Sequence, residues 1–197
     1  MGRACPEESM ARPKRLMNAE QMEHALTLIA EGVVGSMHDA AELALVGIHT
    51  RGVPLARRIA DKIVDGGGPE PPVGTLDISL YRDDLSQVAD QPILRETDIL
   101  FELESRRVVL VDDVIFTGRT IRAALDALTD LGRPRAILLA VMVDRGGREL
   151  PIHPDVVGMH VEAGDACTVD VRLESIDRGR DRIELRRLER DSRGGGE

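Results

Sequence analysis

The stretch VVLVDDVIFTGRT, residues 108–120, joins an apolar run, two adjacent carboxylates, a glycine-centred turn and the start of a helical pattern. Val108, Val109, Leu110 and Val111 are continuously apolar, the pattern of a parallel strand buried on both faces. From Thr120 onward, Ile121, Ala124, Leu125, Leu128 and Leu131 recur at helical spacing, and Gly132 with Pro134 ends the pattern. Between them, Val114, Ile115, Phe116, Thr117, Gly118 and Arg119 connect a strand's carboxyl end to a helix N-terminus. Hydroxyls, a guanidinium and unpaired backbone N–H groups at such a place suit a phosphomonoester. Asp112 and Asp113 accept hydrogen bonds only, so next to an anion they are expected to hold hydroxyls of the sugar that carries the phosphate, or a hydrated Mg²⁺ near it. A lone acidic pair would read as a turn cap; strand, acids, loop and helix together point to a phosphorylated sugar. The loop has no lysine, which excludes a Walker-type phosphate loop, and no glycine triplet, which excludes a dinucleotide fingerprint.

The same strand-loop-helix unit occurs earlier in the chain. Residues 43–48 are apolar, His49, Thr50, Arg51 and Gly52 form a turn, and Pro54 opens a helix to about Val64. Thr50, Arg51 and Gly52 offer a hydroxyl, a guanidinium and free backbone for a diphosphate, although the tripeptide alone reads more readily as a surface turn. Upstream, Asn18 is placed to cap a helix through about Val34. Downstream, residues 75–81 alternate as a strand, and the polar residues 82–96 read as a lid that could bring Arg82 to the diphosphate, or as a solvated loop. Residues 136–143 form another apolar strand ending in Asp144, Arg145, Gly146 and Gly147, and that loop is expected to border a base pocket. A hairpin over 168–173 and 182–188 completes the pattern. Alternating strands and helices with short loops imply an α/β fold, a doubly wound, mainly parallel sheet flanked by helices, with ligands beyond the strands' carboxyl ends.

A length of 197 residues with 42% hydrophobic content suits one core: a domain over residues 16–190 between disordered tails at 1–15 and 191–197. The net charge of −9 repels nucleic acid and anionic membrane on average, and 2% aromatic content leaves no base-stacking platform. Cys5 and Cys167 are too few for a disulfide framework and fit a reducing compartment. No stretch has signal-peptide or membrane-spanning length, so a cytoplasmic protein is expected. Five histidines show no close metal-ligand pairing.

Taken together, LVGIHTRGVPLARRIA, DISLYRDDL, VVLVDDVIFTGRTIRAALDAL, LGRPRAILLAVMVDRGGRELPI and the following DVVG resemble the pyrimidine operon regulators, a branch of the type I phosphoribosyltransferases. The resemblance runs from about Asn18 to Leu188. It implies a type I phosphoribosyltransferase fold with a small hood region and C-terminal hairpin, and Mg²⁺-dependent conversion of uracil and phosphoribosyl diphosphate to UMP and diphosphate. It further implies a homodimer or homotetramer and UMP-dependent binding to leader mRNA of pyrimidine genes. By matching motif, Asp112, Asp113 and Arg82 are the catalytic residues. Residues 108–120 bind ribose phosphate, Thr50, Arg51 and Gly52 the diphosphate, and Asp144, Arg145 and Val157 border the base, with Mg²⁺ held mainly through substrate. The chain departs from the family where RNA is bound. In the family's RNA-binding members the first helix is rich in basic residues, whereas here it contains Glu23, Leu28 and Glu31, with His24 and His38 as weak substitutes, and His153 and the run 158–163 stand where the family carries further basic residues. Catalysis with weakened RNA control is expected; the alternatives are an RNA regulator that uses the nucleotide site as a UMP sensor, and a salvage enzyme for another base.

Overall fold

The computed structural model describes residues 12–36, 40–82 and 96–188. In chain order its elements are β1 (Lys14–Met17), α1 (Ala19–Gly35), a short 3-10 turn, β2 (Leu43–Ile48), α2 (Gly52–Asp65), β3 (Val73–Leu76), β4 (Arg107–Ile115), α3 (Arg119–Leu131), β5 (Ala136–Asp144), β6 (Val156–His160), β7 (Cys167–Arg172) and β8 (Arg182–Arg187). The described residues fall into two compact units, one within Glu23–Val161 and a second formed by those up to Met22 with those from Glu162 on.

The larger unit is built on a five-stranded sheet ordered β3-β2-β4-β5-β6, with every pair parallel. Counting only these strands along the chain, the order is 2-1-3-4-5, so the winding reverses between β2 and β4 and leaves a crevice at their carboxyl ends. Side chains alternate across the sheet. Val46, Ile48, Val108, Leu110, Leu139 and Val141 pack with Ile121, Ala124 and Leu128 of α3 in one buried cluster. Val109 and Val111, pointing the other way, are equally buried at 1%, as the continuous apolar run requires. Full burial of each such side chain stabilises the fold by about 1.5–3 kcal/mol, so the strand that carries the acids is held firmly.

In the smaller unit β1, β8 and β7 form an antiparallel sheet. Cys167, Val169, Val171, Ile183 and Leu185 make its buried face. Asn18 caps α1 as expected: its Oδ1 accepts from the Gln21 N–H and the Gln21 Oε1 accepts from the Asn18 N–H, each at 2.9 Å.

Three expectations are corrected. Lys14 and Arg15 lie in β1, paired with Leu185 and Glu184, within the stretch read as a tail; four residues with two exposed basic side chains carry no strand signal of their own. β3 ends at Leu76, because Asp77 accepts from the Ser79 N–H and hydroxyl at 2.8 and 2.6 Å and turns the chain there. Cys167 is disulfide-bonded, against the reduced-thiol reading. β6 was also not anticipated. It is a short edge strand carrying a glycine, and Gly158 is required by close approach: a Cβ there would lie 2.9 Å from the Met142 carbonyl oxygen. No described helix is long and apolar enough to cross a membrane.

Candidate active site

β4 extends past the apolar run to Ile115, so Asp112 and Asp113 sit within its last four residues, with Asp112 level with Val141 on β5. Val108 to Val111 are buried to 0–1% exposure and present no side chain to a ligand; they carry the acids into place. The acids themselves are sheltered. Burial pushes the Asp112 carboxyl well above the ordinary carboxylate value, the Asp113 charge adds to this, and Arg82 works against it. Burial raises Asp113 as well, opposed by its hydrogen bond with Asp112 and by the Arg51 guanidinium.

Beyond Ile115 the chain turns at Gly118, whose φ of +92° is left-handed and suits glycine. α3 then starts at Arg119, whose N–H donates to the Thr117 Oγ1 at 3.4 Å, while Gly118 at the N-cap position supplies no side-chain cap. Val114, Ile115, Phe116, Thr117, Gly118, Arg119, Thr120 and Ile121 with Arg82 line a pocket of about 240 Å³. Exposed N–H groups at a helix N-terminus and two arginines make that pocket receptive to an anion.

The Thr50–Arg51–Gly52 turn lies on the other side of the crevice. The His49–Thr50 peptide is cis. Gly52 lets this turn press onto β4, where a Cβ would lie 2.2 Å from the Val111 carbonyl oxygen, and Gly47 lets the start of α2 close on β2, where a Cβ would lie 2.5 Å from the Val53 Cα. The turn thus ends one peptide from Asp112. The crevice brings together the acid pair, the α3 N-terminus, Arg51 and Arg82.

Comparison with known proteins agrees with this geometry. Residues 14–173 match the phosphoribosyl transferase domain. The chain belongs to the phosphoribosyltransferases. It is 54% identical over 181 residues to the Bifunctional protein PyrR of Deinococcus deserti, covering 91% of this chain and 98% of that one. To the protein of the same name from Thermus thermophilus it is 57% identical over 170 residues, 86% and 93% of the two chains. It groups with these PyrR proteins within the type I class. Solved structures with the same fold include a hypoxanthine-guanine phosphoribosyltransferase from Bacillus anthracis (TM-score 0.66, 15% identity, 90% of this chain and 98% of that one). Another is the hypoxanthine phosphoribosyltransferase of Trypanosoma cruzi in complex with IMP (TM-score 0.67, 17% identity, 93% and 98%).

In this phosphoribosyltransferase the loop after β5 is fastened to the loop between β4 and α3. The Arg145 N–H donates to the Ile115 carbonyl at 3.2 Å, and the Glu149 and Leu150 N–H groups donate to the Thr117 carbonyl at 3.0 Å. The Arg145 side chain is buried at 7% exposure, with Cζ 3.9 Å from the centre of the Phe116 ring. Gly147, at φ +69°, lies under the same ring, which a Cβ would meet at 2.4 Å. Val157, pairing with Val141, is partly buried against the α3-side core. Residues 83–95 of the expected lid lie outside the described residues; Tyr81 and Arg82 are within them.

Arg148 was not singled out from sequence, where it reads as one more charge in a loop. Its guanidinium donates to the carbonyls of Ile152 at 2.8 Å, Phe116 at 2.9 Å and Gly146 at 3.2 Å, and pairs with Asp144 at 2.8 Å. Burial alone would raise Asp144, but the Gly146 N–H and Arg148 outweigh it and hold the carboxyl below its ordinary value. Arg148→Met is expected to destabilise the protein by about 2 kcal/mol at neutral pH, since three acceptors and a part-buried carboxylate lose a charged donor. A depressed carboxylate stabilises the fold above its unfolded pKa, and that contribution is lost as pH falls through the lower folded value. The deficit should accordingly shrink below about pH 4. Urea unfolding at both pH values measures it, and a deficit under about 0.5 kcal/mol at pH 7 would remove the brace.

Proposed function

We propose that this chain transfers the phosphoribosyl group of phosphoribosyl diphosphate to uracil, giving UMP and diphosphate. The observation that carries the reading is the β2–β4 crevice, where an acid pair, a helix N-terminus and an arginine turn converge. Asp112 and Asp113 accept the ribose hydroxyls; Thr117, Gly118, Arg119 and Thr120 hold the 5′-phosphate; Thr50, Arg51 and Gly52, with Arg82, hold the diphosphate. Asp144, Arg145 and Val157 border the base. As the glycosidic bond breaks, positive charge grows on the ribose and negative charge on the leaving group, and fixed groups at both ends stabilise that separation. No covalent nucleophile is required.

The residues present fit a hydrated Mg²⁺ carried by the substrate: Asp112 and Asp113 put adjacent carboxylates, hard oxygen donors, at the carboxyl end of β4. When bound, Mg²⁺ would neutralise charge on the departing diphosphate.

A regulatory role is the second part of the proposal, and the relatives' name, bifunctional, supports it. The structure supplies a reason to expect it in weakened form. Glu23 of α1 pairs with both Arg58 and Lys62 of α2, so one carboxylate offsets part of the positive charge that this face could offer to phosphates. Each lost phosphate contact weakens RNA binding and flattens its salt dependence.

Two assays test these readings. The protein is incubated with phosphoribosyl diphosphate, Mg²⁺ and, separately, uracil, hypoxanthine or guanine. UMP is the expected product, whereas purine nucleotides alone would replace uracil as substrate. Leader RNA of the organism's pyrimidine genes is then titrated with and without UMP at two salt concentrations. Weak binding with a shallow salt slope is expected. Tight UMP-dependent binding without turnover would make the site a sensor.

A further inference from the structure

Arg82 lines the phosphate pocket and acts on the Asp112 carboxyl, yet it follows a turn bordered by Leu80 at 68% exposure. What holds that turn is the residue between them. The Tyr81 N–H donates to the Ile78 carbonyl at 2.9 Å, its ring packs against the α3-side core, and its hydroxyl donates to Asp130 Oδ2 at 2.8 Å. The Tyr81 carbonyl accepts from the Arg122 guanidinium at 3.5 Å, and Arg122 is paired with Asp126 at 3.1 Å. Arg122, Asp126 and Asp130 stand four residues apart along one face of α3. The N-terminus of the same helix is the phosphate loop. One rigid element therefore sets both the phosphate site and the turn before Arg82.

We propose that Tyr81 and Asp130 are positioning residues: their hydrogen bond fixes the turn to α3 and so sets where the Arg82 guanidinium meets bound phosphoribosyl diphosphate at the pocket beside the α3 N-terminus. This rests on the phosphoribosyl diphosphate reading given above. The phenol–carboxylate bond also accounts for a Tyr81 hydroxyl held above its ordinary pKa by Asp130.

The test is a double-mutant cycle on binding of phosphoribosyl diphosphate with Mg²⁺, measured by calorimetry on the full chain so that it needs no turnover. Tyr81→Phe keeps the ring and removes the hydroxyl. It is expected to weaken binding by about fivefold in the wild-type background and to have no effect in an Arg82→Gln background, since the latch acts only through Arg82. Asp130→Asn should reproduce the loss. The chain has one tyrosine and no tryptophan, so the ultraviolet titration of the phenol reports this site alone, and in Asp130→Asn its midpoint should fall. Equal losses in both backgrounds would make Tyr81 merely structural, and no loss in either, or an unmoved phenol titration, would end the proposal. Failure of the wild-type protein to make UMP while the cycle still shows coupling would overturn the choice of base and leave the latch standing.

Discussion

Asp113→Asn is expected to lower turnover by about tenfold or more with the fold intact, and Thr117→Ala to do the same. In the proposed reading the two substitutions act on opposite ends of the ribose phosphate. Asp113 lies in β4 between the turn that carries Arg51 and the phosphate loop, with its Oδ1 accepting from the Val114 N–H at 3.0 Å. An amide of the same shape can keep that contact, so the strand is expected to survive, but it accepts through one oxygen only and carries no charge to set against an oxocarbenium-like ribose. Thr117 offers its hydroxyl at the α3 N-terminus while its carbonyl holds the Glu149 and Leu150 N–H groups. Alanine keeps the carbonyl and loses the hydroxyl. Circular dichroism and thermal unfolding matching wild type, with kcat/KM reduced in both, is the expected result; wild-type activity in both would remove the assignment.

The acid pair also predicts a pH dependence. Burial raises both carboxyls in the free protein, so the folded state retains a proton above the ordinary value of 3.8. Raised carboxyls favour the folded state at acid pH, and this advantage fades as pH rises through the folded values. A ligand that needs both groups as acceptors must displace the proton. Affinity for ribose 5-phosphate is therefore expected to rise with pH across the window above 3.8, and Asp112→Asn, which removes the higher titration, to move that rise to lower pH. Calorimetry at several pH values reads both.

The parts of this fold legible in sequence are those where one local pattern determines the outcome. A continuous apolar run such as Val108 to Val111 has to be buried on both faces, and it lies in the middle of the sheet. Asn18 and Gln21 form a cap from residues three apart. Less legible were elements whose partners are distant in sequence. β1 exists only because β8, some 170 residues on, supplies its hydrogen bonds. Arg148 matters through carbonyls at positions 116, 146 and 152, and a carbonyl is carried by every residue type. The same limit applies to Tyr81, whose acceptor Asp130 is 49 residues away. For the site, residue types at strand ends located the loops; which backbone they press against needed coordinates.

Gly52 shows that dependence most directly. In sequence it is the last residue of a Thr-Arg-Gly turn; in the fold it is the point where the α2 N-terminus rests on β4. A Cβ there would lie 2.2 Å from the Val111 carbonyl oxygen, 3.2 Å from the Val111 carbonyl carbon and 3.4 Å from the Asp112 Cα. All three are backbone atoms of a buried central strand, so no side chain can rotate away to relieve the contact. Gly52→Ala must therefore lift the diphosphate turn off the sheet or bend β4 at the acid pair. The expected cost is about 3 kcal/mol of stability, together with a loss of phosphoribosyl diphosphate binding larger than that of uracil or UMP, because Thr50 and Arg51 move with the turn. Gly35→Ala is the control. Gly35 ends α1, and a Cβ there meets nothing within 4 Å, so it should fold and bind as wild type does. Unfolding midpoints and calorimetry of both variants measure the contrast; if Gly52→Ala matched Gly35→Ala in stability and binding, the turn would not be seated on β4 and the two-sided crevice would lose its basis.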